Sequence, residues 1–296
     1  PKPFLPKGAK MHAGWPDWGW NPIQAGDAFD HPPRLLSLQR EGDMLRARCV
    51  PMQWALDGVA GECVFETRVR LQANRVHVEA RLENARSDTT RYPGQHQELP
   101  AVYTIGRLHR LFTYTGSKPF EGDALTEIVN AGPPWKYWTS TECWSALVDD
   151  KGFGVGVFHP GALLTVGGFH GTKGSGGPRD DSAGYIAPLH TEVLDHNIVY
   201  EARVTLIVGD LEKDIRAYAK SQHFDPRPAF DFAKDRAHCV PFHLQDDAPP
   251  YRGSWRLTLD QDDPYIVTAP VHFEAKQAPK LYLRAAYRTK GREGEL

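Results

Sequence analysis

The sequence predicts an all-β fold, a large antiparallel β-sandwich of the supersandwich type with one C-terminal helix and a short additional β segment. Three observations carry this expectation. Apolar and polar residues alternate with a period of two over long stretches after Met44, and Gly (27) and Pro (24) punctuate those stretches at turn positions. Only one segment carries the 3.6-residue apolar stripe of an amphipathic helix.

Taken in order, the chain up to about Asp30 is rich in Pro, Gly and Trp, and "GWPDWGWNP" (14–22) reads as an ordered aromatic loop, since three neighbouring indoles are not casual surface residues. In "CVFETRVRLQANRVHVEARLENA" the inward set is Phe65, Val69, Leu71, Val76, Val78, Ala80 and Leu82, with Glu66, Arg68, Arg70, Arg75, His77, Glu79 and Arg81 facing the other way. Two arms of period two joined at "QAN" make a hairpin, and one wet face makes the sheet antiparallel. "WSALVDDKGFGVGVFHPG" reads as strand, Asp-Asp-Lys-Gly turn, strand, its Gly-Val-Gly-Val run pointing to close approach of another layer. "GGFHGTKGSGGPRDDSAG" (167–184) reads as an exposed hairpin loop, and "NIVYEARVTLIVGD" as a long strand.

The helix starts at Asp210 as N-cap, with Glu212 and Asp214 in the first turn and Leu211, Ile215, Tyr218 and Ala219 as its stripe, and ends near His223. Beyond "FDPRP", strand patterning resumes in "GSWRLTLDQDDPYIVTAP" and "PKLYLRAAYRT", the latter with Leu281, Leu283, Ala285 and Tyr287 on one side. The expected division is therefore 1–223 for the sandwich with its aromatic loop, and 224–296 for a linker and a β appendage or partial second β domain.

Composition narrows the function. At 41% hydrophobic and 24% charged, 296 residues suffice for one large β domain, and a net charge of −2 argues against the clustered basic surface that nucleic acid requires. No run approaches the ~20 apolar residues of a membrane helix. The chain opens on Pro1 rather than Met, which suggests a processed or trimmed product; location is left open, with an extracytoplasmic one, periplasmic or secreted, as the expectation. Cys49, Cys63, Cys143 and Cys239 form no CxxC or Cys/His zinc spacing; Cys49 and Cys63, on strand-like segments, read as buried thiols or a disulfide between neighbours.

Candidate chemistry concentrates in "RYPGQHQELPAVYT" (91–104). His96 and Glu98, two apart at a strand entry, point to the same side, where a carboxylate beside an imidazole can share a proton. The plainer alternative is that Glu98 caps backbone N–H groups and His96 satisfies a loop carbonyl. Glu142 in "STECWSAL" offers a second carboxylate, which with Glu98 would retain or invert a glycosidic bond at separations of about 5 Å or ~6.5–9.5 Å. The plain reading of Glu142 is a solvated strand-end residue. "PLHTEVLDHN" repeats the spacing with His190 and Glu192 and adds Asp195 and His196; an exposed strand face is favoured there over a metal site, and no metal is expected. Arg86, Arg91, Arg107 and Arg110 surround the first stretch and suit an acidic sugar or a solvated strand. Trp135, Tyr137 and Trp138, like the cluster of Trp15, Trp18 and Trp20, lie in Gly/Pro-rich segments; indole faces stack on sugar rings, or else fill the core.

In "RYPGQHQELPAVYT", "TECWSALVDDKGFGVGVFHPG" and the long strand ending "LIVGD", the chain resembles the supersandwich of galactose mutarotase-like domains of carbohydrate-active enzymes, over roughly residues 40 to 210. The resemblance implies a saccharide on the concave sheet face but does not choose the reaction. Mutarotase-like enzymes use a His acid and a Glu base, which map onto His96 or His190 and onto Glu98, Glu142 or Glu192; lyases of this fold use Tyr and His beside a uronate, which map onto Tyr103, His96 and a neutralising Arg91. The leading expectation is a glycoside hydrolase with Glu98 and Glu142 as its carboxylates, His96 and Tyr103 orienting the substrate, Trp135, Trp138 or Trp18 stacking on it, and no cofactor. A uronate lyase and a non-catalytic carbohydrate-binding module are the alternatives.

Overall fold

The computed structural model describes residues 5–16, 18–175, 181–223, 227–246 and 251–286. Its frame is a 9-stranded antiparallel sheet, in the order Thr126–Ile128, Arg110–Thr113, Trp144–Val148, Phe153–Phe158, Val199–Asp210, Arg75–Asn84, Cys63–Gln72, Met44–Val50 and Arg34–Glu41. A 4-stranded sheet of Lys136–Thr139, Leu164–His170, Ala183–Pro188 and Val102–Tyr103 packs against it, and a short ladder pairs Gln95–Gln97 with His190–Glu192. The fold is the antiparallel sandwich that the alternation requires.

The core between the layers is built from Leu111, Leu147, Val157 and Val204 of the large sheet and Trp138 and Ile186 of the small one. The hairpin at 63–84 forms as its period demands, with Phe65 against Leu82 and Val69 against Val78. Its inward Leu71 is nevertheless 64% exposed, as are Leu38 (64%) and Leu45 (49%), because the smaller sheet covers only part of the inner face. On the opposite face, Glu66 is buried between Arg46 (2.6 Å) and Arg68 (2.7 Å), and the hydrogen bond from Arg46 leads in holding its carboxyl below the usual range.

The Asp149–Gly152 turn forms because the Asp149 carboxylate accepts from the backbone N–H groups of Lys151 (2.9 Å) and Phe153 (3.1 Å). The glycines that follow admit a second layer, since a Cβ on Gly156 would lie 2.3 Å from Ile215 of the helix. Asp210 caps that helix by accepting from Glu212 and Lys213 N–H groups. The first winding, Leu211–Arg216, is a π-helix and only Ala217–Ser221 is α, so the helix stops before His223. Ile215 and Ala219 seal the outer face of the large sheet against Trp144, Phe158 and Ile207.

All four cysteines are buried free thiols, the first of the two readings of Cys49 and Cys63. The strand expected near the end of the sequence is corrected. "PKLYLRAAYRT" forms no strand among its described residues: Leu281 and Leu283 are 87% and 78% exposed, and Tyr287 lies outside those residues. Between the helix and that segment, Val240–Phe242 pairs with Tyr265–Val267 and Leu244–Asp246 with Leu257–Leu259. Of the loop expected at 167–184, strand Leu164–His170 takes the beginning and Ala183–Pro188 the end, while 176–180 lie outside the described residues.

Candidate functional site

Directly opposed residues of an antiparallel sheet point to the same face. In the 4-stranded sheet Tyr185 is opposed by Gly168 on one side and Tyr103 on the other, and Gly167 opposes Lys136, which brings Trp135 beside Gly168. The outer face therefore carries a transverse row of Trp135, Gly168, Tyr185 and Tyr103. Gly168 leaves a gap into which the indole reaches: the Trp135 and Tyr185 rings are 5.2 Å apart, and those of Tyr185 and Tyr103 are 4.7 Å apart. A Cβ on Gly168 would fall 2.9 Å from Trp135 Cε3 and 2.3 Å from Asn130 Oδ1, so the position requires glycine. Tyr185 is buried beneath its neighbours, whereas Tyr103 is 67% and Tyr137 53% exposed.

Glu98 and His96 border this row. The Tyr185 hydroxyl donates to Glu98 Oε2, and the carboxylate is otherwise exposed. Burial, followed by the Glu98 hydrogen bond and charge, raises the Tyr185 pKa; burial and then the Glu98 charge raise that of Tyr103. Both phenols are held protonated, the opposite of what a tyrosine base needs. The His96 ring is 5.8 Å from that of Tyr137, and its Nδ1 is hydrogen-bonded to Thr191 Oγ1 at 2.9 Å. Its Nε2 has no protein partner among the described residues.

The other expected site residues lie elsewhere. Glu142 is fully buried beneath the helix, where Oε1 accepts from Phe120 N (2.7 Å) and Arg216 Nη2 (2.9 Å), and Oε2 from Trp144 Nε1 (2.8 Å) and Arg216 Nε (3.1 Å). Neither oxygen is left for a substrate, and the sandwich separates it from Glu98. Trp138 shares a strand with Tyr137 and therefore points the other way, into the core, donating to Ser145 Oγ at 3.1 Å. Trp18 is 50% exposed in a separate N-terminal cluster, 6.3 Å from Trp15, which rests on Trp54. Arg91 is paired with Asp246 at 3.0 Å.

His190 and Glu192 flank Thr191 on the ladder strand, so alternation sends them away from His96 into the interior, where Glu192 meets His238. Asp195 of the same stretch is bound by Arg236 at 2.5 Å, and no cluster of metal-ligating side chains occurs among the described residues. Sequence reasoning missed Tyr185 and Gly168. Tyr137 and Trp135 were separable from Trp138 by the alternation in "WKYW", which shows once the segment is read as a strand rather than a loop.

No protein-family model and no curated protein sequence matches the chain. Among solved structures it is similar to a galactose mutarotase-related enzyme from Lactobacillus acidophilus, at 12% identity over 63% of this chain and 74% of that one, with a TM-score of 0.33. It is similar to the GH36 α-galactosidase AgaA from Geobacillus stearothermophilus at 10% identity, over 69% of this chain and 27% of that one, with a TM-score of 0.36. The 4-α-glucanotransferase from Thermococcus litoralis gives 12% identity over 63% and 24%, with a TM-score of 0.35. The chain thus spans about a quarter of the length of the last two.

Proposed function

We propose that the chain binds a neutral saccharide on the outer face of its four-stranded sheet, with Trp135, Tyr137 and Tyr103 taking ring faces and Glu98 and His96 taking hydroxyls. The row of Trp135, Tyr185 and Tyr103 bordered by Glu98 carries this reading. Exposed aromatic faces stack on the C–H faces of a sugar ring, and an exposed carboxylate accepts from its hydroxyls.

Two features favour a neutral ligand over a uronate. The face presents a carboxylate, and the four arginines in the surrounding sequence are engaged: Arg86 with Asp88, Arg91 with Asp246, Arg107 with Asp149 and Arg110 with Glu127. A lyase on this face would also need a tyrosine base, which the raised pKa values of Tyr103 and Tyr185 disfavour. Glycosidic cleavage by two carboxylates lacks its second member, since Glu98 is the one carboxylate touching the aromatic row among the described residues.

The placement of His96 favours a second reading, proton transfer to the bound sugar: Thr191 orients its Nδ1, and the ring and Glu98 are both exposed. Titration calorimetry with a panel of neutral and uronate oligosaccharides tests the first reading. Binding to neutral members, weakened about tenfold by Trp135→Ala and also by Glu98→Gln, is the expected result. Binding unaffected by either substitution overturns it. Polarimetry and reducing-end assays on the same ligands test turnover, which His96→Asn abolishes if the second reading holds.

A further inference from the structure

We propose that His159, His190 and His238 form a pH-sensitive clamp that docks residues 236–242 onto the sandwich and releases them in mild acid. His159 follows the strand Phe153–Phe158, His190 opens the strand His190–Glu192, and His238 belongs to the docked segment. Their rings are in contact in series: His159 and His190 are 4.9 Å apart between centroids and tilted by 57°, and His190 and His238 are 4.0 Å apart and stacked at 16°. His159 is 5% exposed, and its ring nitrogens find only the nearby carbonyls of His159 and Pro160, without a well-formed hydrogen bond.

Such a stack tolerates neutral imidazoles and little charge. Glu192 faces it, its Oε2 3.4 Å from His238 Nδ1; the buried Tyr200 phenol and Cys239 thiol lie within the influence of the Glu192 charge, and His159 N donates to the Cys143 carbonyl at 2.9 Å. Arg227 and His272 line, with His238 and Cys143, a cavity of about 340 Å³ under the segment. One carboxylate can neutralise one imidazolium, so a second proton taken up by the stack is an unpaired buried charge. Burial, and then the electrostatic influence of the His238 ring, depresses His159 to about 4, and burial with the two neighbouring rings depresses His190 to about 2.

Three features make the segment the part that yields. Ala237 and His238 both hold left-handed backbone (φ +49° and +58°), an unfavourable conformation for residues with a Cβ, which docking maintains. Both anchoring rings, His159 and His190, stay with the sandwich, so undocking alone returns them to water. The remaining anchor is Arg236, paired with Asp195 and with Asp246, and the Asp246 carboxyl is held below its ordinary 3.8. Between pH 6.5, the ordinary imidazole value, and about 4 the clamp therefore belongs to the histidines. At pH 5 protonation favours the undocked state by roughly 30-fold for each depressed ring.

Amide hydrogen exchange on the full chain at pH 7 and pH 5, corrected for intrinsic rates, tests this. Peptides covering residues 236–246 are expected to lose protection by about 30-fold or more at pH 5, while the strands Trp144–Val148 and Phe153–Phe158 keep theirs. His190→Phe and, separately, His159→Phe keep a flat ring in the stack without its proton site, and each is expected to reduce that pH response at least tenfold; either variant alone suffices if the other fails to fold. Equal protection at both pH values, an undiminished response in a folded variant, or simultaneous loss in the core strands overturns the clamp.

Discussion

Replacing Glu142 with glutamine separates a structural carboxylate from a catalytic one. The Glu142 carboxylate accepts four hydrogen bonds, two on each oxygen, and carries the charge that pairs with Arg216 at 2.9 Å. An amide has one acceptor and one donor nitrogen. Whichever way it is turned, its NH₂ faces two N–H donors, from Phe120 and Arg216 or from Trp144 and Arg216. Two hydrogen bonds are lost, and the Arg216 guanidinium, 12% exposed, keeps only the exposed Glu212 carboxylate at 3.4 Å as a counter-charge in a site already closed by Trp144. Removing one member of a buried pair costs about 3–5 kcal/mol. For a chain of this size that corresponds to a thermal midpoint lower by about 5–15 °C. Differential scanning fluorimetry beside saccharide titration provides the assay: Glu142→Gln lowers the midpoint by that amount and leaves affinity within twofold of wild type at a temperature where both are folded. An unchanged midpoint, or a folded variant that has lost saccharide binding, would falsify the assignment of Glu142 to the scaffold.

Gly168→Val places side-chain atoms where Trp135 and Asn130 now lie, so the indole leaves Tyr185; saccharide affinity should fall about tenfold, and near-ultraviolet circular dichroism should report the altered aromatic packing. Arg91→Met should leave neutral-saccharide affinity unchanged while making residues 236–255 easier to cleave by protease, because it withdraws one cation from Asp246. Asp246 adds an acid limit of its own. Burial pushes its pKa up, but hydrogen bonds from Arg236, Tyr251 and Trp255 pull it further down, so its stabilisation is present above pH 3.8 and is lost as pH falls through the depressed value. Proteolytic susceptibility of the segment should accordingly rise in two steps, the first between pH 6.5 and 4 and the second below 3.8, and Asp246→Asn should remove only the second.

The alternation of residues 63–84, the turn chemistry of Asp149 and the cap at Asp210 are local, and each element they imply is present because period, turn and cap act within a few residues of chain. The same local rule put His96 and Glu98 on one side of "QHQE", and both border the aromatic row. What a period of two cannot say is which of two faces will be covered, or by what. Glu142 is a plausible strand-end acid until Arg216, 74 residues away, closes over it, and Trp138 and Tyr137 differ only in which side of one strand meets the large sheet. The row itself exists through pairing register: Tyr103 meets Tyr185 across 82 positions, and Gly168 lies between Tyr185 and Trp135 only because three strands align. Local sequence thus determined the hairpin, turn and helix cap and the faces of those strands, but not the strand at Lys136–Thr139 or the irregular course of 281–286. Burial of the second carboxylate, assembly of the aromatic surface and the meeting of three distant imidazoles were decided by contacts between residues far apart in the chain, which only the folded layers bring into range.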